Sequence, residues 1–138
     1  MYLNIINIEH NSAVLVSQIT KVHNNSMKIY HNPRCRKSRE TLALIEEKGK
    51  KADIILYLDT PPNKDEIIDI LKKLKLKPEQ LIRKTEKVYK EKYKGLTMSD
   101  DEWIEAMIDH PKLIERPIVI KGTKAIVGRP PENVLSLL

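Results

Sequence analysis

The chain has 138 residues, of which 41% are apolar and 32% charged, with a formal charge of +6 and one cysteine. That size fits one domain with one substantial core, and the balance of residues is that of a globular protein, neither disordered nor membrane-embedded. A lone thiol excludes an intrachain disulfide and a cysteine-built metal cluster, so no bound metal or other resident cofactor is expected, and it fits the reducing conditions of the cytoplasm.

Residues 1–26 carry only Glu9 and Lys21 as acidic and basic charges, so the whole positive excess lies beyond them. Their apolar run, Ala13–Val16, is too short to span a membrane and no basic segment precedes it, which argues against a membrane anchor or a secretory signal. They read as an N-terminal extension, expected to be poorly ordered, ahead of a module at 27–138. The basic balance suits either nucleic acid or a small oxyanion. With no Phe and one Trp there is no stacking platform, and no recognition-helix signature is found, so nucleic acid is not expected as a partner.

From Met27 the elements alternate. Met27–His31 predicts a short strand that Asn32-Pro33 breaks. Cys35–Lys48 predicts a helix with Leu42 and Ile45 on its inner face and Gly49 as its stop. Asp53–Leu58 is a second strand, ended by Thr60-Pro61-Pro62. Asn63 with Glu66 forms a capping box, followed by the helical stripe Ile67, Ile70, Leu71 and Leu74. Pro78 opens a short helix that leaves Arg83 at its end, and residues 84–98 are basic and weakly patterned. Ser99 with Glu102 caps a helix bearing Ile104, Met107 and Ile108, which Pro111 closes. Pro117–Ile120 and Lys124–Val127 predict a hairpin about Lys121-Gly122. Pro130 and Pro131 open a terminal helix. A β-α-β unit, a helical block and a β-β-α unit give an α/β, thioredoxin-like mixed sheet flanked by helices, with a helical insertion between its two halves.

Cys35 falls where the first strand turns into the first helix, with Arg34, Arg36, Lys37 and Arg39 within four positions. Positive charge and a helix N-terminus both favour the thiolate, the reactive form of the side chain. A second sulfur three positions on would close a disulfide, but that residue is Ser38. Its hydroxyl is expected to donate a hydrogen bond to the thiolate. Any redox cycle through Cys35 must then finish with an outside thiol.

The segment His31-Asn32-Pro33-Arg34-Cys35-Arg36-Lys37-Ser38-Arg39-Glu40-Thr41-Leu42 resembles the active-site signature of the glutaredoxin-linked arsenate reductases. Collinear matches follow at Tyr57-Leu58-Asp59-Thr60-Pro61-Pro62, Leu81-Ile82-Arg83-Lys84, His110-Pro111-Lys112-Leu113-Ile114-Glu115-Arg116-Pro117-Ile118-Val119 and Gly128-Arg129-Pro130-Pro131, so that the likeness covers Met27 to Leu138. The resemblance implies reduction of arsenate to arsenite through Cys35, with glutathione as co-substrate and glutaredoxin as partner. It further implies that Arg83, Arg116 and Arg129 bind the oxyanion, that His31 influences the thiolate, and that Pro117 is cis and places Arg116 beside the sulfur. Guanidinium forks suit tetrahedral oxyanions on physical grounds as well. Two other readings compete: an Spx-type redox regulator that binds RNA polymerase, against which Ser38 argues, and a thiol oxidoreductase acting on glutathione mixed disulfides.

Overall fold

The structure is a computed structural model that describes residues 26–138. The expectation for residues 1–26 therefore lies outside the described residues, Ser26 apart. Four strands, β1 (Met27–Tyr30), β2 (Asp53–Ile55), β3 (Ile118–Lys121) and β4 (Lys124–Val127), form one sheet in the order β2-β1-β3-β4. β1 and β2 are parallel, Ile29 opposite Ile54, whereas β1–β3 and β3–β4 are antiparallel. A crossover helix, α1 (Arg36–Glu47), joins the parallel pair, as parallel pairing requires. Between β2 and β3 lie α2 (Lys64–Leu74), α3 (Lys87–Lys92) and α4 (Asp100–Asp109), with 3-10 turns at Pro78–Leu81 and Pro111–Leu113. The fold is thioredoxin-like, with the helical block inserted between the halves.

Strand alternation divides the core in two. Met27 and Ile29 of β1 and Val119 of β3 face Ile45 of α1 and Val134 and Leu137 of the C-terminal segment. Tyr30, Ile118 and Ile120 face the opposite way, onto Ile67, Ile70, Leu81, Ile104, Met107 and Leu113. Complete burial of an Ile or Val side chain contributes about 1.5–3 kcal/mol, so both layers hold the sheet. The low aromatic content is concentrated at one place, where Tyr89 stacks on Trp103 at 6.4 Å and Tyr93 lies 6.1 Å from the same indole.

Local signals decide most boundaries. Both capping boxes form: Asn63 accepts from the Glu66 amide and Ser99 from that of Glu102. Gly49, at φ 68°, ends α1 as predicted, with its N–H on Glu46 O and that of Lys50 on Ile45 O. Other boundaries differ. β2 stops at Ile55 and not at Leu58, because the carbonyl of Leu56 accepts the amides of Asp59 and Thr60 and turns the chain. The Pro78 and Pro131 segments are 3-10 and not α-helical, held by i-to-i+3 bonds such as Asn133 N–H to Pro130 O. The weakly patterned stretch 84–98 contains α3, which buries no residue completely and leans on α4 through Tyr89.

One close approach locks α1 to the sheet. A Cβ on Gly128 would stand 2.7 Å from Pro117 Cγ and collide with Thr41 Oγ1, so only glycine lets the end of β4 lie against the helix. Thr41 Oγ1 donates to Lys37 O at 2.8 Å and lies 3.4 Å from Gly128 O across this contact. Gly128→Ala is accordingly expected to destabilise the fold by about 1–3 kcal/mol, read as a fall in midpoint on chemical denaturation.

Candidate active site

Cys35 is the residue immediately before α1, in extended conformation (φ −89°, ψ 122°) and partly buried. The turn that delivers it is fixed by its own backbone: Cys35 N–H donates to Asn32 O at 3.0 Å, and Arg34 N–H to Asn32 Oδ1 at 3.0 Å. Burial alone would raise the thiol's pKa. It is outweighed by the Ser38 backbone N–H, by the charge of Arg129, whose Nη2 lies 3.5 Å from the sulfur, and by a hydrogen bond and charge from Arg116. The net result is a pKa below that of an ordinary thiol, in accord with a helix-terminal sulfur among cations.

The cations adjacent in sequence contribute differently from what their spacing suggested. Arg36 and Lys37 pair with Glu40 at 2.7 and 3.5 Å, and Arg39 donates to Pro33 O at 2.9 Å. The guanidinium groups that act on the sulfur come from positions far along the chain. Arg116 and Arg129 flank it directly, and Arg83 joins them through Glu86, whose Oε1 is 3.4 Å from Arg83 Nε and 3.1 Å from Arg116 Nη2. An isolated antiparallel bridge, Ile82 opposite Ile114, aligns the segments bearing Arg83 and Arg116. Arg129 Nε donates to Arg116 O at 2.8 Å, tying the third arginine to the second. The peptide bonds Arg116–Pro117 and Arg129–Pro130 are both cis, the second without any sequence signal.

His31 and Ser38 occupy the floor beneath this cluster. The Ser38 hydroxyl is fully buried, 2.6 Å from His31 Nδ1, and accepts from the Asn32 N–H at 3.0 Å. The expected donation from this hydroxyl to Cys35 is thus replaced: the hydroxyl is engaged below, and the backbone amide of Ser38 reaches the sulfur. Burial, then the charge of Arg39, lowers the pKa of His31, which keeps its ring neutral near pH 7. Both residues brace the turn that presents Cys35.

Sequence reasoning gave no role to two residues here, although Tyr57 begins one of the matched segments. Tyr57, in the turn after β2, is 1% exposed; burial raises its pKa, with Arg116, Cys35 and Glu86 among the charges it feels. Its phenol therefore stays protonated and can donate. Glu86 has no distinguishing neighbours in sequence, and only its place between two guanidinium groups singles it out. Among the described residues, four buried side-chain polar atoms lack a hydrogen-bond partner: Tyr57 Oη, Arg83 Nε, Arg116 Nε and Glu115 Oε2. All four belong to this cluster, and three of them are donors. Buried donors are ordinarily satisfied, and three unmet ones gathered in the cluster around Cys35 are a donor set of the kind that suits an anion's oxygens. Among the described residues no grouping of His, Cys, Asp and Glu suited to a metal ion occurs.

A cysteine immediately before the first helix, a cis proline just ahead of β3 and guanidinium groups converging on the sulfur define a protein of thioredoxin-like fold. More narrowly, the chain belongs to the ArsC family, whose model matches residues 30–137. It is 47% identical to an arsenate reductase of Neisseria meningitidis serogroup B over 116 residues, 81% of this chain and 97% of that one. It is also 47% identical over 114 residues to the uncharacterized protein YfgD of Escherichia coli K12, covering 81% and 96% of the two chains. Among solved structures, the arsenate reductase from Vibrio cholerae superimposes with a TM-score of 0.79 at 47% identity, covering 83% of this chain and 98% of that one.

The rate of alkylation of Cys35 by iodoacetamide, followed against pH, is expected to titrate below the value of an ordinary thiol. Because Arg129 favours the charged form, Arg129→Gln should move the midpoint upward; an unmoved profile would separate Arg129 from the thiolate.

Proposed function

We propose that this protein is an arsenate reductase of the cytoplasm that uses Cys35 as its nucleophile and glutathione and glutaredoxin as its reductants. The observation that carries this reading is the set of unmet buried donors around Cys35, beside which Arg129 holds the sulfur at 3.5 Å. Family membership and the arsenate reductases among its relatives point to arsenate as the oxyanion.

In the proposed reaction, Arg83, Arg116 and Arg129 hold the arsenate oxygens, and the Cys35 thiolate attacks arsenic with loss of one oxygen as water, forming an S–As bond. The guanidinium groups stabilise the charge that builds on the oxygens. Glutathione thiolate then attacks the Cys35 sulfur. The S–As electron pair leaves with arsenic, so arsenate becomes arsenite while the two sulfurs are oxidised to a mixed disulfide. Glutaredoxin removes the glutathione and returns the Cys35 thiol. Ser38 occupies the position where a resolving cysteine would stand, which is why an outside thiol is needed. His31 keeps its place as a residue that shapes the turn around Cys35, through Ser38.

Arsenate-dependent consumption of reducing equivalents, measured with glutathione and glutaredoxin, is expected for the wild type and absent for Cys35→Ser. Alanine at Arg83, Arg116 or Arg129 should each lower kcat/KM by about a hundredfold or more. Turnover of a glutathionylated substrate with none of arsenate would replace this reading by a thiol oxidoreductase.

The Tyr57 hydroxyl is assigned as a further donor to the bound oxyanion. Since it has no partner within the protein, Tyr57→Phe should leave stability equal or slightly higher, while the KM for arsenate rises by about three- to tenfold. Denaturation midpoints together with steady-state kinetics check both halves.

A further inference from the structure

Glu86 takes no part in the proposed reaction, yet its carboxylate lies between two guanidinium groups of the cluster. Oε1 stands 3.1 Å from Arg116 Nη2 and 3.4 Å from Arg83 Nε, and the side chain is 19% exposed. Beside it, Glu115 Oε2 is 3.4 Å from Arg129 Nε. Three guanidinium groups thus face two carboxylates and, once Cys35 ionises, a thiolate. Formal charges cancel, so an incoming oxyanion meets a neutral assembly and must compete for its arginines.

The two carboxylates are not equivalent. The backbone N–H of Glu115 donates to Leu81 O at 2.9 Å, beside the Ile82–Ile114 bridge, and the Arg129 Nε it faces is already committed to Arg116 O. Glu86 precedes α3, a six-residue helix that buries nothing completely, and its side chain makes no capping bond to that helix. Its ion pairs are with the two guanidinium groups. Its displacement would break those two ion pairs and no helix-capping bond. The arginines also remain under-satisfied with Glu86 in place, since the Nε atoms of Arg83 and Arg116 have no hydrogen-bond partner.

We propose that Glu86 is an internal competitor that sets the affinity of the oxyanion site: its carboxylate stands in for the anion on Arg83 and Arg116 and must be displaced before a tetrahedral oxyanion can use both. This rests on the oxyanion reading above. Glu86 thereby sets a threshold that weakens every tetrahedral dianion, unreactive ones included, and keeps the arginines aligned between turnovers. At such low exposure the pairing is only partly screened by water and salt, so the competition is substantial.

The test needs neither turnover nor glutaredoxin. Sulfate, an unreactive tetrahedral dianion, is titrated as a protectant of Cys35 against iodoacetamide, in the wild type and in Glu86→Gln. The amide retains the shape and removes the charge, and the half-protecting sulfate concentration is expected to fall by about tenfold. The KM for arsenate should fall with it. A half-protecting concentration that is unchanged or higher in the variant overturns the proposal, because Glu86 would then merely position the arginines. Thermal denaturation without anion reports whether Glu86→Gln is folded; if it is not, Glu86→Ala takes its place with the same expected direction. Loss of all protection by sulfate and arsenate in the wild type itself would overturn the oxyanion site, an outcome distinct from failure of the Glu86 assignment alone.

Discussion

The isolated bridge between Ile82 and Ile114 is the constraint on which the site depends. Arg83 N–H donates to Leu113 O at 2.6 Å and Glu115 N–H to Leu81 O at 2.9 Å, so these two short stretches are held in one register outside the main sheet. That register sets Arg83 and Arg116 on either side of Glu86. β3 begins two residues beyond Arg116 and pairs with β1, whose end leads into Cys35. The helical insertion is thereby coupled to the sulfur through a few backbone hydrogen bonds, with Leu81, Ile82, Leu113 and Ile114 buried behind them.

Around this frame, the chemistry follows from an imbalance between donors and acceptors. A thiol loses its proton more readily when cations and amides surround it, and here the amide comes from Ser38 and the cations from Arg129 and Arg116. Buried arginines without sufficient acceptors are costly in any fold. Glu86 and Glu115 offset part of that cost while leaving Nε donors unmet. The arginines are thus held in place by carboxylates and yet keep donors that the protein itself does not satisfy.

Much of this was legible in sequence, for local reasons. Capping boxes, a glycine stop and the 2.0 and 3.6 periodicities act over a few residues, and they located α1, α2, α4 and the β3–β4 hairpin. Cys35 was recognisable because a charged turn is an unusual place for a small apolar side chain. α3 escaped because it buries nothing completely and its partner, Trp103, is distant in sequence. The roles of Tyr57 and Glu86 escaped for the same reason: each acquires meaning only from side chains brought to it by the fold. Local pattern left open whether Arg36 and Lys37, beside Cys35 in sequence, join the site; the fold pairs both with Glu40.

Gly128 illustrates how differently the two sides of the centre can respond to change. It is wedged against Thr41 and Pro117, one residue from Arg129. Any adjustment that moves Arg129 must pass through a contact with no spare volume, on the face of the sheet that α1 covers. Glu86 lies at the start of a lightly packed helix on the other side, next to an Arg83 that the Ile82–Ile114 bridge holds in place. Divergence of this scaffold would accordingly be asymmetric, with the wall at Arg129 acting as a fixed jaw and the position of Glu86 open to remodelling.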